Sequence, residues 1–448
     1  VLASVGSFLF LRSELKVSYQ KMKGTVDIFP SEASKWQYVE QVATDILRQY
    51  QFKEIRLPLF ESFDLFARGV GESTDVVSKE MYDFYDKGDR HVALRPEGTA
   101  GAVRAFVENK YYGPEHHKPQ KYYYIGPMFR YERPQSGRQR QFYQLGVEVF
   151  GSKNPATDVE TMALAVDLFQ SLGLEQVRLV INSLGSNESR AAFRQALIDY
   201  LEPFSDQLSD DSKRRLHENP LRVLDSKAPE DKKIVANAPS VLDFLDEESV
   251  AHFSAVKEQL DLLNIPYEVD ANMVRGLDYY NDTVFEVITD HEKFGANTTI
   301  AGGGRYDGLV ETVGGPATPA FGFGFGLERL LMLMEYSNVQ FPTDPQLDVF
   351  IVTIGQRAST EATKLAHALR QRGLLVEREF MNRKPGTQFK SADKLNARFT
   401  FTLGDRELEK NTVNVKNMAT GQELSMDLAD VYSKDFRENF QEIKDELK

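Results

Sequence analysis

The chain has 448 residues, 41% hydrophobic and 27% charged, with a net charge of −13, which fits two or three globular domains with real cores. It has no Cys, which excludes disulfides, thiolate catalysis and Cys-ligated metal. Its seven His show no metal-ligand spacing, and the negative charge argues against non-specific nucleic-acid binding while leaving room for a local basic patch.

Residues 1–16 include the apolar run VLASVGSFLFL, too short to span a bilayer and without a basic leading region. We read them as an extension or processed start of unknown role. No other run reaches membrane length, so the protein is expected to be cytoplasmic. Ser31 is expected to cap a helix to about residue 49, with Trp36, Val39, Val42, Ile46 and Leu47 at helical spacing. A strand over 52–59 contains Pro58, which places it at an edge or an interface. A polar loop follows at 69–74, then short strands over 81–85 and 92–94. Glu97 lies where that strand gives way to a helix starting at Thr99, a frequent place for ligand contacts, although a solvated turn acid fits equally.

The stretch 129–151 reads as two strands joined by a basic loop. In the second strand Tyr143, Leu145, Val147 and Val149 share one face, and Gln144, Gly146 and Glu148 the other. Glycine inside a strand often marks close approach of a ligand. Arg130, Arg133, Arg138 and Arg140 suit phosphates. An ordinary amphipathic hairpin with a solvated turn has the same pattern. Beyond a helix over 158–172 and a strand over 177–181, residues 185–265 are helix-rich and charged, as an inserted helical module would be.

Strands resume around 267–272 and 283–287. Two glycine-rich stretches follow. Residues 301–308, AGGGRYDG, are not a P-loop, since no GKS or GKT follows. In 321–326 the three Phe point one way, and Gly322, Gly324 and Gly326 leave a bare face on which a flat ring could lie; tight packing under a helix would also explain them. Arg329 sits in the first turn of the next helix, where a cation opposes the dipole, which suggests a task such as gripping phosphate. After the Pro-containing linker 342–345, alternating strands and helices predict a small α/β domain with a mostly parallel sheet. Its segment 378–398 has six basic residues against two acids, and the tail after 422 is expected to be solvated helix.

Together these stretches resemble the histidyl-tRNA synthetase family of class II aminoacyl-tRNA synthetases, bacterial type, from about Lys23 onward. The stretches carrying the resemblance are 129–151, 322–331, Arg275-Gly276-Leu277-Asp278-Tyr279-Tyr280 and Ala301-Gly302-Gly303-Gly304-Arg305-Tyr306-Asp307, with a C-terminal part similar to an anticodon-binding domain. The resemblance implies an α+β fold: an antiparallel sheet core over 17–340 with a helical insertion, plus an α/β anticodon-binding domain over 345–448. It implies ATP-dependent ligation of L-histidine to histidine tRNA through histidyl-adenylate, by a homodimer without membrane attachment.

The implied catalytic residues are Arg275 and Arg130. Histidine would be held by Glu97, Gly98, Thr99, Arg130, Gln144, Glu148, Arg275, Tyr279 and Tyr280, with Glu148 and Tyr280 on the imidazole nitrogens and Tyr306 in the wall. ATP, as its Mg2+ complex, would be held by Arg130, Arg138, Arg275, Gly322, Gly324, Gly326 and Arg329. Arg133 and Gln135 would meet the tRNA acceptor end. No protein ligand for the metal is assigned. The nearest rival, a histidine-binding regulatory subunit of ATP phosphoribosyltransferase, would be expected to lack the C-terminal domain and to lose catalytic positions.

Overall fold

A computed structural model describes residues 19–71, 74–135, 137–224, 226, 228–295, 297–343, 345–433, 436, 440 and 441. The extension expected over 1–16 lies outside the described residues. The first helix, Pro30–Gln49, begins one residue before the expected Ser31 cap, because Pro30 takes the first helical position and Phe29 the cap. It buries Val39, Ala43 and Leu47.

Of the strand expected over 52–59 only β1 (Lys53–Glu54) forms, and β2 (Phe60–Ser62) begins just beyond it. Pro58 cannot donate to a ladder. The buried Arg95 instead takes the carbonyls of Leu57 at 3.0 Å and Pro58 at 3.3 Å. The helix Phe63–Val70 and a π-helical turn, Val76–Glu80, separate β2 from β3 (Tyr82–Tyr85). With β4 (His91–Leu94), β2 and β3 form a small antiparallel sheet in the order β2-β4-β3. The expected polar loop therefore begins only after Val70, and its residues 72 and 73 lie outside the described residues.

The helix Thr99–Glu108 leads to the hairpin of β5 (Gln120–Phe129) and β6 (Gln141–Phe150), paired from Phe129↔Gln141 onward. The helix Pro155–Ser171 follows, capped by Asn154 three residues earlier than expected. Then comes β7 (Val177–Ser183). The inserted module supplies helices including Asn187–Leu201, Asp210–Glu218, Leu221–Leu224 and Glu247–Leu262. The sheet resumes with β8 (Tyr267–Val269), β9 (Asn281–Thr289), β10 (Thr298–Arg305) and β11 (Ala320–Gly326), followed by the helix Leu327–Tyr336.

These strands make one eight-stranded sheet in the order β1-β5-β6-β11-β10-β9-β7-β8, antiparallel except at its two ends. The two-residue alternation decides its faces. Leu145, Val147, Val149, Phe321, Phe323 and Phe325 all face a core shared with the helices Pro30–Gln49, Pro155–Ser171 and Glu247–Leu262. Each such large side chain contributes roughly 1.5–3 kcal/mol by leaving water. The opposite face carries Gln144, Gly302, Gly322, Gly324 and Gly326 beside one another, because β6, β11 and β10 pair in that register.

The chain divides at Phe341 and Pro342 into two compact units. The second has β12 (Val349–Thr353), β13 (Val376–Arg378), β14 (Phe399–Leu403), β15 (Thr412–Asn417) and β16 (Glu423–Asp427), in the order β13-β12-β14-β15-β16. β12 runs parallel to both its neighbours, whereas β15 and β16 are antiparallel additions. The helix expected after 422 is thus a strand first: Leu424 and Met426 alternate with polar residues, and Met426 joins Val413 and Val415 in the core.

Candidate active site

The polar face of the eight-stranded sheet floors an open cleft of about 500 Å³. It gathers residues distant in sequence: Glu97, Thr99, Arg130, Arg138, Gln144, Arg275, Tyr279, Tyr280, Tyr306, Gly322, Gly324, Gly326 and Arg329 all line it. Arg133 and Gln135 do not. They stand exposed on the turn between β5 and β6, which is closed by backbone hydrogen bonds between Gln135 and Arg138 of 2.9 and 3.1 Å.

Glu97 is buried at the start of the helix Thr99–Glu108. Its carboxylate accepts the backbone N–H of Thr99 at 2.6 Å and of Ala100 at 2.9 Å, satisfying donors that every helix start leaves open. Burial raises its pKa, and those N–H groups act against the rise. Gly98 is absent from the cleft lining, contrary to expectation. It packs on the ring of Tyr124, where a Cβ would overlap the ring atoms.

Glu148 also differs from expectation. It lies beneath the cleft, 1% exposed, and three hydroxyls donate to it: Thr99 at 2.8 Å, Tyr124 at 3.0 Å and Tyr306 at closer range. The glycine of Gly322 is required here, since a Cβ would collide with the Glu148 carboxylate. Part of the bare glycine face is therefore filled by protein. Burial pushes the Glu148 carboxyl up to about 8, against the pull of the hydroxyls. Burial likewise raises Tyr124, Tyr279 and Tyr306, so these phenols remain protonated.

The arginines are held individually. Arg130 donates from Nε to the Pro96 carbonyl at 2.8 Å and lies 5.3 Å from the Phe142 ring centre. Arg138 reaches Glu132 at 3.3 Å. Arg329 donates to the Thr299 carbonyl at 2.9 Å. Arg275 forms an ion pair with Glu286 of β9 and lies over Gly302, which has no side chain to obstruct it. Among the described residues, two buried atoms in the cleft have no hydrogen-bond partner, the acceptor Gln144 Oε1 and the donor Arg275 Nε. Such orphans are rare in folded proteins and point to a ligand or water that completes them.

Residues missed in the sequence complete the site. Arg222, from the inserted module, lines the cleft and donates to the Gly276 carbonyl at 2.9 Å. Glu286 could have been noticed as an acid set among Val284, Phe285 and Val287, which are fully buried. Tyr124 had no local signal. Arg305 of the glycine-rich stretch is no ligand group: it pairs with the buried Asp158 and with Asp307, which fixes the strand that delivers Tyr306. Among the described residues, no group of three or more His, Asp or Glu is placed to hold a metal ion.

Residues 24–330 match the family model described as Histidyl-tRNA synthetase, and residues 348–438 match that of the Anticodon binding domain. A Histidine--tRNA ligase of Lactiplantibacillus plantarum is 60% identical over 415 residues, covering 92% of this chain and 97% of the relative. That of Streptococcus pyogenes serotype M5 is 57% identical, covering 96% and 99%. The apo crystal structure of S. aureus histidyl-tRNA synthetase superposes with a TM-score of 0.79 at 42% identity, covering 93% of this chain and 99% of the other. On the sheet, the cleft and these matches together, the chain belongs to the histidyl-tRNA synthetase family, with the class II synthetase fold and a C-terminal anticodon-binding domain.

Proposed function

We infer that this protein ligates L-histidine to the 3′ end of histidine tRNA, using ATP. The histidine carboxylate attacks the α-phosphorus of ATP and pyrophosphate leaves. The terminal ribose hydroxyl of the tRNA then attacks the carbonyl of the adenylate and AMP leaves. Such a reaction depends on positioning and on neutralising phosphate charge more than on acid-base groups. The observation that carries the reading is the pair of unpartnered buried atoms in one cleft: Gln144 Oε1 fits the substrate ammonium, and Arg275 Nε fits a phosphate oxygen.

Arg130 and Arg275 face the α-phosphate, Arg329 takes the ATP tail, and Arg138 stands at the rim. The adenine lies chiefly along Gly326, where the backbone stays open. Glu97, Thr99 and Gln144 receive the ammonium. Whichever hydroxyls donate to Glu148 keep their own oxygens free to accept, so the cluster of Thr99, Tyr124 and Tyr306 presents acceptors to the N–H groups of histidine. Tyr280 and Tyr279 complete the imidazole wall. A side chain without matching N–H groups leaves these oxygens unpaired, which gives selectivity.

Mg2+ enters with ATP as the substrate complex; the charge the protein brings is guanidinium. Residues 17–340 act as the catalytic domain and 345–448 read the anticodon, while the exposed Arg133 and Gln135 meet the acceptor end. A homodimer is supported by exposed apolar side chains on and beside the small sheet: Leu59, Phe60, Phe84 and Tyr85. No helix of the described residues is long and apolar enough to cross a membrane, in keeping with action in the cytoplasm, where tRNA is charged.

Exchange of labelled pyrophosphate into ATP tests the central reading. Exchange is expected with histidine and with none of the other nineteen amino acids. Histidine binding without exchange would point instead to a regulatory, non-catalytic relative.

A further inference from the structure

Arg275 and Arg329 come from separate parts of the chain, a loop before β9 and the helix after β11, yet they share one chain of contacts. Arg275 Nη1 pairs with Oε1 of Glu286. The other carboxylate oxygen of Glu286 accepts the Thr299 hydroxyl at 2.6 Å. The backbone carbonyl of the same Thr299 accepts Arg329 Nη1 at 2.9 Å. Thr299 stands where the β9–β10 pairing slips register, between Thr299 and Ala301. A bulge of this kind re-aims a side chain.

We propose that Glu286 is a positioning residue for the activation step, and that Thr299 couples it to the second arginine. Glu286 and Thr299 thus set both guanidiniums as one phosphate-facing unit. The proposal rests on the reading of Arg275 as the group that meets the α-phosphate. Its physical basis is the donor geometry of the guanidinium, which has five N–H groups in a rigid fork. Glu286 occupies Nη1 and leaves Nε, buried and unpartnered, for a ligand oxygen. Gly302 beneath the fork leaves it room, since a Cβ there would stand 2.5 Å from Nη1. The freedom of a long side chain is then lost on folding rather than at the moment of reaction.

The test uses the full chain and measures pyrophosphate exchange, with KM for ATP and kcat resolved, histidine affinity by calorimetry, and the melting temperature. Glu286→Gln should lower kcat for exchange by roughly 10- to 100-fold, the usual effect of removing a partner that orients a reacting group, with histidine affinity within about threefold of the parent. Thr299→Val should lose part of that activity and Thr299→Ser should recover it, since only the hydroxyl is at issue.

Arg275→Ala is measured in parallel. Normal exchange in Arg275→Ala would overturn the reading on which the proposal rests. Loss in Arg275→Ala with normal exchange in Glu286→Gln would overturn the positioning role alone. A rise in exchange on Glu286→Gln would also overturn it, by showing that the carboxylate restrains Arg275. A lowered melting temperature matched by equal losses in Thr299→Val and Thr299→Ser would reduce both residues to structural support.

Discussion

Glu148 shows how much one buried side chain can set. Its burial holds the carboxyl at about 8, well above the 4.5 of an ordinary Glu. Between those values the folded state keeps a proton that the unfolded chain has lost. The unfolded state therefore binds fewer protons, and stability falls as pH rises from about 4.5 to about 8. Glu97 is shifted in the same direction, and Glu328, raised to about 7 by burial, adds to the slope. The melting temperature of the parent should fall between pH 5 and 8.5, and Glu148→Gln should fall less. Equal slopes in parent and variant would show that this carboxyl does not titrate there. Glu97, by contrast, combines ligand-facing placement with helix capping, so its removal is expected to cost stability as well as binding.

At the scale of elements, the loop that carries Arg275 and Tyr280 is held from two directions. Glu286 grips it from the sheet. Arg222 and Asn219, from the inserted module, donate to the Gly276 carbonyl at 2.9 Å and to the Asp278 carboxylate at 3.1 Å. A hydrogen bond from a charged donor contributes about 1.5–3 kcal/mol. Arg222→Ala is thus expected to lower the rate of pyrophosphate exchange roughly tenfold, with histidine affinity little changed. Unchanged exchange would mean that the module does not order this loop. The glycine strand β11 illustrates the limits of reading an element alone. Its three bare positions were visible in the sequence, but Gly322 serves Glu148, and Gly324 would place a Cβ 3.0 Å from the Gln144 amide. The flat surface is left chiefly at Gly326.

For the whole molecule, the two units have separate cores, one built on the eight-stranded sheet and one on the five-stranded sheet. The small sheet β2-β4-β3 leaves apolar side chains largely exposed: Phe60 is 58% exposed and Tyr85 66%. Light scattering should give twice the monomer mass, and Phe60→Asp should shift the population toward monomer. A parent that stays monomeric at micromolar concentration would rule out this surface as a dimer contact.

The sequence by itself determined what depends on near neighbours along the chain. Alternation fixed which residues of β6 and β11 face the core. The helix-rich texture marked the insertion. The arginines and the signature stretches 275–280 and 301–307 named most of the cleft. Only the tertiary structure decided contacts made across strands. The tail hairpin of β15 and β16 depends on a partner strand. Glu148 lies beneath the cleft rather than in its wall because Tyr124, Tyr306 and Thr99 converge on it from three separate elements. Gly98 faces Tyr124, and Glu286 faces Arg275, because β4, β5, β9 and the loop before β9 meet only in the fold. Local pattern is written in periods of two and 3.6 residues, whereas partners 24 to 158 residues apart, as in the Glu148 cluster, leave no periodic trace in a single sequence.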